Sequence, residues 1–399
     1  MLKQIKIAKR NQGCYDLPVA SGEWREIVVA DKTEGIQQGT FNPFTPEFGK
    51  VPAYFAGREQ VLSDVLSAFE EQATNLCALF VGPRGCGKTA LLTYLGNEAS
   101  RLGWVIANVS ATPGMLEDIV QRTEESASHL IETSLEKRLT GVNIAGLGGA
   151  TWNPRGESEA NWRTRMNGLL DRLGEAGVGL LITVDEVDVS LDEMSHLVST
   201  YQHFVRENRK VALVMAGLPF HISSLLGGKN TSFLRRAQRF DLSSLAPYEV
   251  EEAFRLTVEE GGRLINEGAL TEAVEAINGF PFMLQLLGYR AWRMHPDDAF
   301  LTVEDIRAGA QRAQRELEDR IFDVTYAELS KADRAFLAAM VQDEKVTSRA
   351  DLMGRLGKPS GHISTYKKRL VQSGVIGETL NGDFYFALPG FREYIAGRE

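Results

Sequence analysis

The sequence predicts an α/β fold with a mostly parallel sheet, and three stretches carry that expectation. Leu76–Val81 (LCALFV) is a short apolar run that suits a strand buried on both faces. It leads into a glycine-rich loop ending in Lys88-Thr89, then into ALLTYLGNEASRLG, with Leu91, Leu92 and Leu95 at helical spacing and a glycine stop. Gly179–Asp188 (GLLITVDEVD) and Lys210–Pro219 (KVALVMAGLP) are two more apolar strands, the latter preceded by the helical pattern LDEMSHLVSTYQHFVRE. Strands alternating with helices give a parallel α/β core.

The loop itself fits G-x-x-x-x-G-K-[ST], with Gly82, Pro83, Arg84, Gly85, Cys86, Gly87, Lys88, Thr89 and then Ala90. Glycines let the backbone turn tightly enough to aim its N–H groups at phosphate oxygens. Lys88 is placed to reach the outer phosphates of ATP or ADP, and the Thr89 hydroxyl to hold Mg²⁺. Strand, loop and helix stand in the required order, which separates this stretch from a chance glycine turn. Asp185 and Glu186 end an apolar strand, where a parallel sheet opens its ligand crevice. Asp185 is expected to complete the Mg²⁺ site, and Glu186 to orient or activate an attacking water. Cys86 lies near a helix amino terminus, which favours a thiolate; the alternative is a small residue that merely fits.

At 399 residues the chain has room for two or three domains. No apolar run approaches the roughly 18–20 residues of a membrane span, and MLKQIKIAKRNQG lacks the apolar stretch of a secretory signal. Cys14, Cys77 and Cys86 are too few and scattered for a disulfide framework or a zinc site, so a cytoplasmic protein is expected. A net charge of -9 argues against a chain coated in nucleic acid. From Tyr326 onward, however, 11 Lys and Arg face 9 Asp and Glu, against 33 and 44 before it. An anionic partner is therefore expected at the tail.

Together with these motifs, FAGRE (Phe55–Glu59), RRAQRFDLSSLAPYE (Arg235–Glu249) and GFPFMLQLLG (Gly279–Gly288) resemble P-loop ATPases of the AAA+ and STAND type, especially origin-recognition-like ATPases. The resemblance runs from about Asn42 onward. It implies a P-loop NTPase core, a helical lid entered near LAPYE, Gly57 and Arg58 as nucleotide contacts, and Pro281 packing near the base. Two departures favour a STAND-like switch over a close initiator relative. The end of the MAGLP strand offers Ala216 and Gly217 where initiators carry a polar sensor, and Gly-Phe-Pro stands in place of Gly-Asp-x-Arg. Arg235, Arg236 and Arg239 are candidates for an arginine that stabilises charge on the γ-phosphate, or else surface arginines on a helix.

The expected organisation is an N-terminal extension (1–50), an ATPase core (51–245), a helical lid (246–325) and a winged-helix domain (326–399). In the extension, WREIVVAD is strand-like, and NPFTPEFGKVP reads as an extended lead-in wrapping against the core. A glycine-rich insertion at about 140–165 is either a partner-binding loop or an elaborated hairpin. The tail gives three helices, with Ser330 as an N-cap and Gly357 as a stop, then two strands around Asn381-Gly382. This order resembles a winged helix. Ser360, His362, Ser364 and Thr365 would face outward from its third helix, with Lys358, Lys367, Lys368 and Arg369 meeting phosphates of double-stranded DNA. Leu370, Val371, Ile376, Tyr385 and Phe386 are expected in its core. Winged helices also bind proteins, so the expected partner is DNA, another protein or a second copy. The leading expectation is an ATP-driven switch. A nucleotide-stabilised scaffold with little turnover and a replication-initiator or loader are the alternatives.

Overall fold

The apolar strands alternate their side chains between two covered faces, and that alternation organises the sheet-bearing half of the molecule. The computed structural model describes residues 41–70, 76–138, 159–228, 231–242 and 244–398. The WREIVVAD segment, Cys14 and residues 139–158 of the inserted loop lie outside them. Five parallel strands, β1 (Cys77–Val81), β2 (Val105–Ser110), β3 (Leu180–Asp185), β4 (Val211–Gly217) and β5 (Gln238–Asp241), stand in the order β2-β3-β4-β1-β5. Leu79, Val81, Ile182, Val184, Leu213 and Met215 point to one face. There they meet α3 (Met115–Arg138), α4 (Glu159–Glu175), α5 (Asp192–Arg206) and α6 (Pro219–Gly227). Ala78, Phe80, Leu181, Val214 and Ala216 point to the other, under α1 (Glu59–Glu70) and α2 (Lys88–Arg101).

Two of these strands were not legible in the sequence. VIANVS in β2 is short and carries polar Asn108 and Ser110, as suits an edge strand with one exposed row. QRFD in β5 has a single apolar residue, and it is a strand because β1 offers it a free ladder edge. Residues 159–165, expected to belong to the inserted loop, are the first turns of α4. Trp162 is buried there and donates its indole N–H to Leu116 O at 2.6 Å, which fixes the helix under α3.

Beyond the sheet, α7 (Pro247–Glu260), α8 (Glu267–Ile277), α9 (Pro281–Trp292) and α10 (Val303–Leu317) form a helical bundle, with a two-stranded clip of β6 (Leu264–Ile265) and β7 (Phe300–Leu301). A π-helical turn (Glu318–Phe322) and α11 (Asp323–Glu328) lead on to α12 (Lys331–Val341), α13 (Arg349–Leu356) and α14 (Ser360–Gln372). The hairpin of β8 (Ile376–Glu378) and β9 (Phe384–Phe386) follows, then α15 (Phe391–Ala396). Phe384 faces inward, fully buried, whereas Tyr385 is 39% exposed and lies over Gly377 of the opposite strand. The period of two thus moves the core aromatic one position from Tyr385, where the sequence placed it.

One apolar core runs through all these helices without a break. Phe322 joins its parts, with its ring 5.4 Å from Phe391 and 5.2 Å from Tyr394. The lead-in segment also belongs to this core through Phe44, and further along Gly49 comes up against Thr89 of the sheet-bearing half. Phe44 is 2% exposed and stacks near Phe254 at 5.1 Å. Asn42 donates to Tyr289 O, and the Thr45 N–H donates to Gln285 Oε1 at 2.9 Å. Gly288 has no Cβ because the Phe44 ring occupies that space.

Replacing Phe322 with alanine should cost about 3–5 kcal/mol of stability. It should also raise hydrogen exchange in α15 before the sheet is affected. Denaturant titration with exchange read by segment checks both.

Candidate functional site

Strand order creates the site. β4 lies between β1 and β3, so the loop after β1 and the acidic end of β3 flank a gap where β4 ends in buried Ala216 and in Gly217, which lines it. These small residues, which offer no polar sensor, leave the crevice open. A cavity of about 980 Å³ occupies it. Its walls come from the lead-in (Thr45–Lys50), the FAGRE segment, the loop, Asp185–Asp188, Leu218, His221 and Pro281–Gln285.

The loop is shaped from outside. A Cβ on Gly82 would lie 2.6 Å from Cys86 Sγ and 2.8 Å from Leu242 O, just past β5. Gly85, at φ 78°, faces Phe280, whose ring would stand 2.6 Å from an added Cβ. Gly87, at φ 92°, has nothing within 4 Å of that position. It begins α2 without any side-chain cap, leaving the helix's first N–H groups for an anion. Lys88 Nζ donates across the loop to Gly82 O at 3.0 Å and Pro83 O at 2.7 Å. Arg84 is exposed beside the cavity, and Ala90 lines it with Thr89.

Thr89 Oγ1 donates to Asp185 Oδ2 at 2.6 Å, across 96 positions of sequence. Asp185 Oδ1 accepts the backbone N–H of Glu186 at 2.8 Å. Glu186 is exposed at φ 53°, a left-handed conformation that a glutamate adopts at a cost of roughly 1–3 kcal/mol. It is held there at the strand's end, facing the cavity. A hydroxyl and a carboxylate in contact are the hard oxygen donors that Mg²⁺ prefers. Among the described residues no cluster of three or more His, Cys, Asp or Glu could cage a metal. The protein fits a Mg²⁺ shared with a nucleotide, held by Thr89 and Asp185.

Arg58, 8% exposed, sits behind the loop. Burial lowers its pKa, opposed by its neighbours Cys86, Glu249 and Glu59. Glu249 accepts the Ala246 N–H at 2.7 Å at the start of α7 and lies against Gly57, where any Cβ would collide with it. FAGRE is thus wedged between the loop and α7. Pro281 lines the cavity, while Phe280 makes the contact with the loop. Cys86 is 4% exposed, and burial pushes its thiol pKa up against the pull of Lys88 and Arg58. A neutral, small, fitted residue describes it better than a reactive thiolate.

The cavity does not gather the candidate sensor arginines. Arg235 and Arg236 lie on an exposed 3₁₀ turn (Ser232–Arg236), where Arg235 donates to Leu226 O, and Arg239 pairs with Asp241 at 2.8 Å. Two residues missed in the sequence line it instead, His221 and Arg320. His221 stands in the first turn of α6, its Nδ1 3.5 Å from Asp188 Oδ1. The position one turn past a strand end was the available signal. Arg320 lies 135 positions beyond β3, and no local pattern marks it.

On the tail, Ser360, His362, Ser364, Thr365 and Lys358 are exposed around the start of α14, as is Lys368. Lys367 is held by Glu378 at 2.8 Å and Arg369 by Asp333 at 2.6 Å, so these two charges are already matched. Arg349 donates to Ser364 at 3.0 Å.

A strand, an anion-binding loop and an acidic strand end in a β2-β3-β4-β1-β5 sheet define a nucleotide-handling core, and its sequence agrees. Residues 54–213 match the family of the AAA ATPase domain. Residues 319–395 match a domain of unknown function, DUF8462. The AAA ATPase domain thus accounts for the phosphate loop and the acidic strand. A Walker-type ATPase of Pyrococcus abyssi superposes with a TM-score of 0.60 at 16% identity, over 86% of this chain and 96% of that one. The ORC2 protein of Aeropyrum pernix in its ADP form gives 0.52 at 13%, over 88% and 96%. These likenesses are of fold. No curated protein matches the chain in sequence.

Gly85→Ala should weaken ATP binding roughly tenfold or more, because the loop must yield to both Phe280 and an unfavourable φ. Calorimetric titration compared with Gly87→Ala, whose site is sterically open, separates the contact from backbone strain.

Proposed function

We propose that the chain is an ATP-hydrolysing switch whose nucleotide state is passed to a carboxy-terminal winged helix. The observation that carries this reading is the 2.6 Å contact of Thr89 with Asp185 beside Glu186 at positive φ. A strained acid next to a paired hydroxyl and carboxylate suits hydrolysis better than passive binding. The N–H groups of Gly85 to Thr89 and the Lys88 ammonium would receive the phosphates. Bound Mg²⁺ would add positive charge against them. Glu186 would orient the attacking water and accept its proton.

The α12–α13–α14 helices followed by the β8–β9 hairpin, with an isolated antiparallel bridge from Thr347 to Phe384, support the winged-helix reading. Exposed Lys358 and Lys368 with the polar start of α14 suit a duplex. A second reading has its own support. Lys367 and Arg369 are neutralised within the chain, and the hairpin tip places fully exposed Leu380 between Glu378 and Asp383. An exposed apolar tip fits a protein partner, as in a nucleotide-held scaffold. The likeness to ORC2 is one of fold and adds no initiator role here.

Lys88→Ala should abolish ATP binding, and Glu186→Gln should keep binding while lowering turnover by about 10²-fold or more. Normal hydrolysis by either variant would end the catalytic assignment. Duplex binding measured against salt should lose about two from its logarithmic slope in Lys358→Ala, Lys368→Ala. No duplex binding in either nucleotide state would leave the scaffold reading.

A further inference from the structure

We propose that Arg320 is the residue through which the charge of bound nucleotide phosphates reaches the carboxy-terminal helices, an inference that rests on the ATP-binding reading above. Five arginines and lysines line the cavity among the described residues: Lys50, Arg58, Arg84, Lys88 and Arg320. Arg84 and Lys88 belong to the loop, Arg58 is buried behind it, and Lys50 lies on the lead-in. Arg320 alone comes from the turn that leads into α11 and α12 to α15.

Its present partner is one it can leave. Arg320 reaches Glu316 Oε1 at 2.6 Å, and its side chain is 58% exposed. On the arginine's side the pair is open to solvent, which weakens its hold on Arg320. Glu316, 12% exposed, is also held by Arg290, whose Nε donates to Oε2 at 2.7 Å. When Arg320 moves away, Glu316 therefore keeps a cation and no buried charge is stranded. A polyphosphate in the cavity carries several negative charges and can outcompete one shared carboxylate.

Position gives this exchange a consequence. Arg320 sits in the π-helical turn whose last residue, Phe322, packs on Phe391 and Tyr394. Asp323, the next residue, takes the Tyr394 hydroxyl and the Arg398 guanidinium. Ile321, Val324 and Thr325 also line the cavity. Swinging Arg320 towards phosphate thus pulls on the turn to which α15 is tied, and a π-helical turn has ladder bonds that can be rearranged locally.

The experiment measures ATP, ADP and adenosine affinity of the full chain, together with nucleotide-dependent hydrogen exchange at 391–398. Arg320→Ala should weaken ATP binding roughly tenfold or more, leave adenosine unchanged and erase the exchange response in α15. Glu316→Gln, which removes the competitor, should shift ATP affinity the opposite way; a merely structural pair would weaken binding in both variants. Wild-type ATP affinity in Arg320→Ala, with the α15 response intact, overturns the inference. If Lys88→Ala abolishes binding in the same assay, the ATP reading survives that result. A wild-type chain that binds no ATP takes both down.

Discussion

The phosphate loop keeps its shape because other parts of the chain occupy the space its glycines leave. Leu242 closes on Gly82 from the end of β5, and Phe280 closes on Gly85 from the start of α9. A glycine-rich loop is by itself conformationally permissive. The fold converts that freedom into one arrangement by pressing backbone and ring against it. Binding is therefore not a property of the loop's residues alone. It depends on where β5 and α9 stand.

That dependence explains how far the sequence could be read. The loop, Asp185 and Glu186 were legible because their spacing and their strand contexts are local. The 2.6 Å contact of Thr89 with Asp185 followed once both motifs lay at carboxyl ends of parallel strands. Elements set by tertiary pairing were less visible. β5 has one apolar residue and exists because β1 had an unpaired edge. Arg235, Arg236 and Arg239, close to the sheet in sequence, stay outside the cavity lining, whereas Arg320, which the bundle carries back from far along the chain, is part of it. Likewise, two of the cations expected on α14 find acids within the same unit, at Glu378 and Asp333. Those partners lie on other elements, and periodicity says nothing about them.

The bundle and the tail helices share one apolar core despite their different topologies. They touch the ATPase half at a few defined places. Phe280 meets the loop, Glu249 meets Gly57, and Gly374, in the turn after α14, faces Leu218 at the end of β4. Leu218 also lines the cavity. Leu218 thus stands between the turn that follows α14 and the crevice.

The lead-in segment imposes an order on synthesis. Phe44 is made early, yet its burial needs Phe254 and Trp292, and Asn42 waits for Tyr289, 247 positions later. Domains that fold as they emerge usually complete themselves from residues close in sequence. Here an early apolar segment must stay outside any finished core until α9 has been made. The sheet can assemble from residues 76–242 meanwhile, but the wall that Thr45–Lys50 gives the cavity arrives only afterwards. A nascent chain therefore holds an open crevice before it holds a complete one.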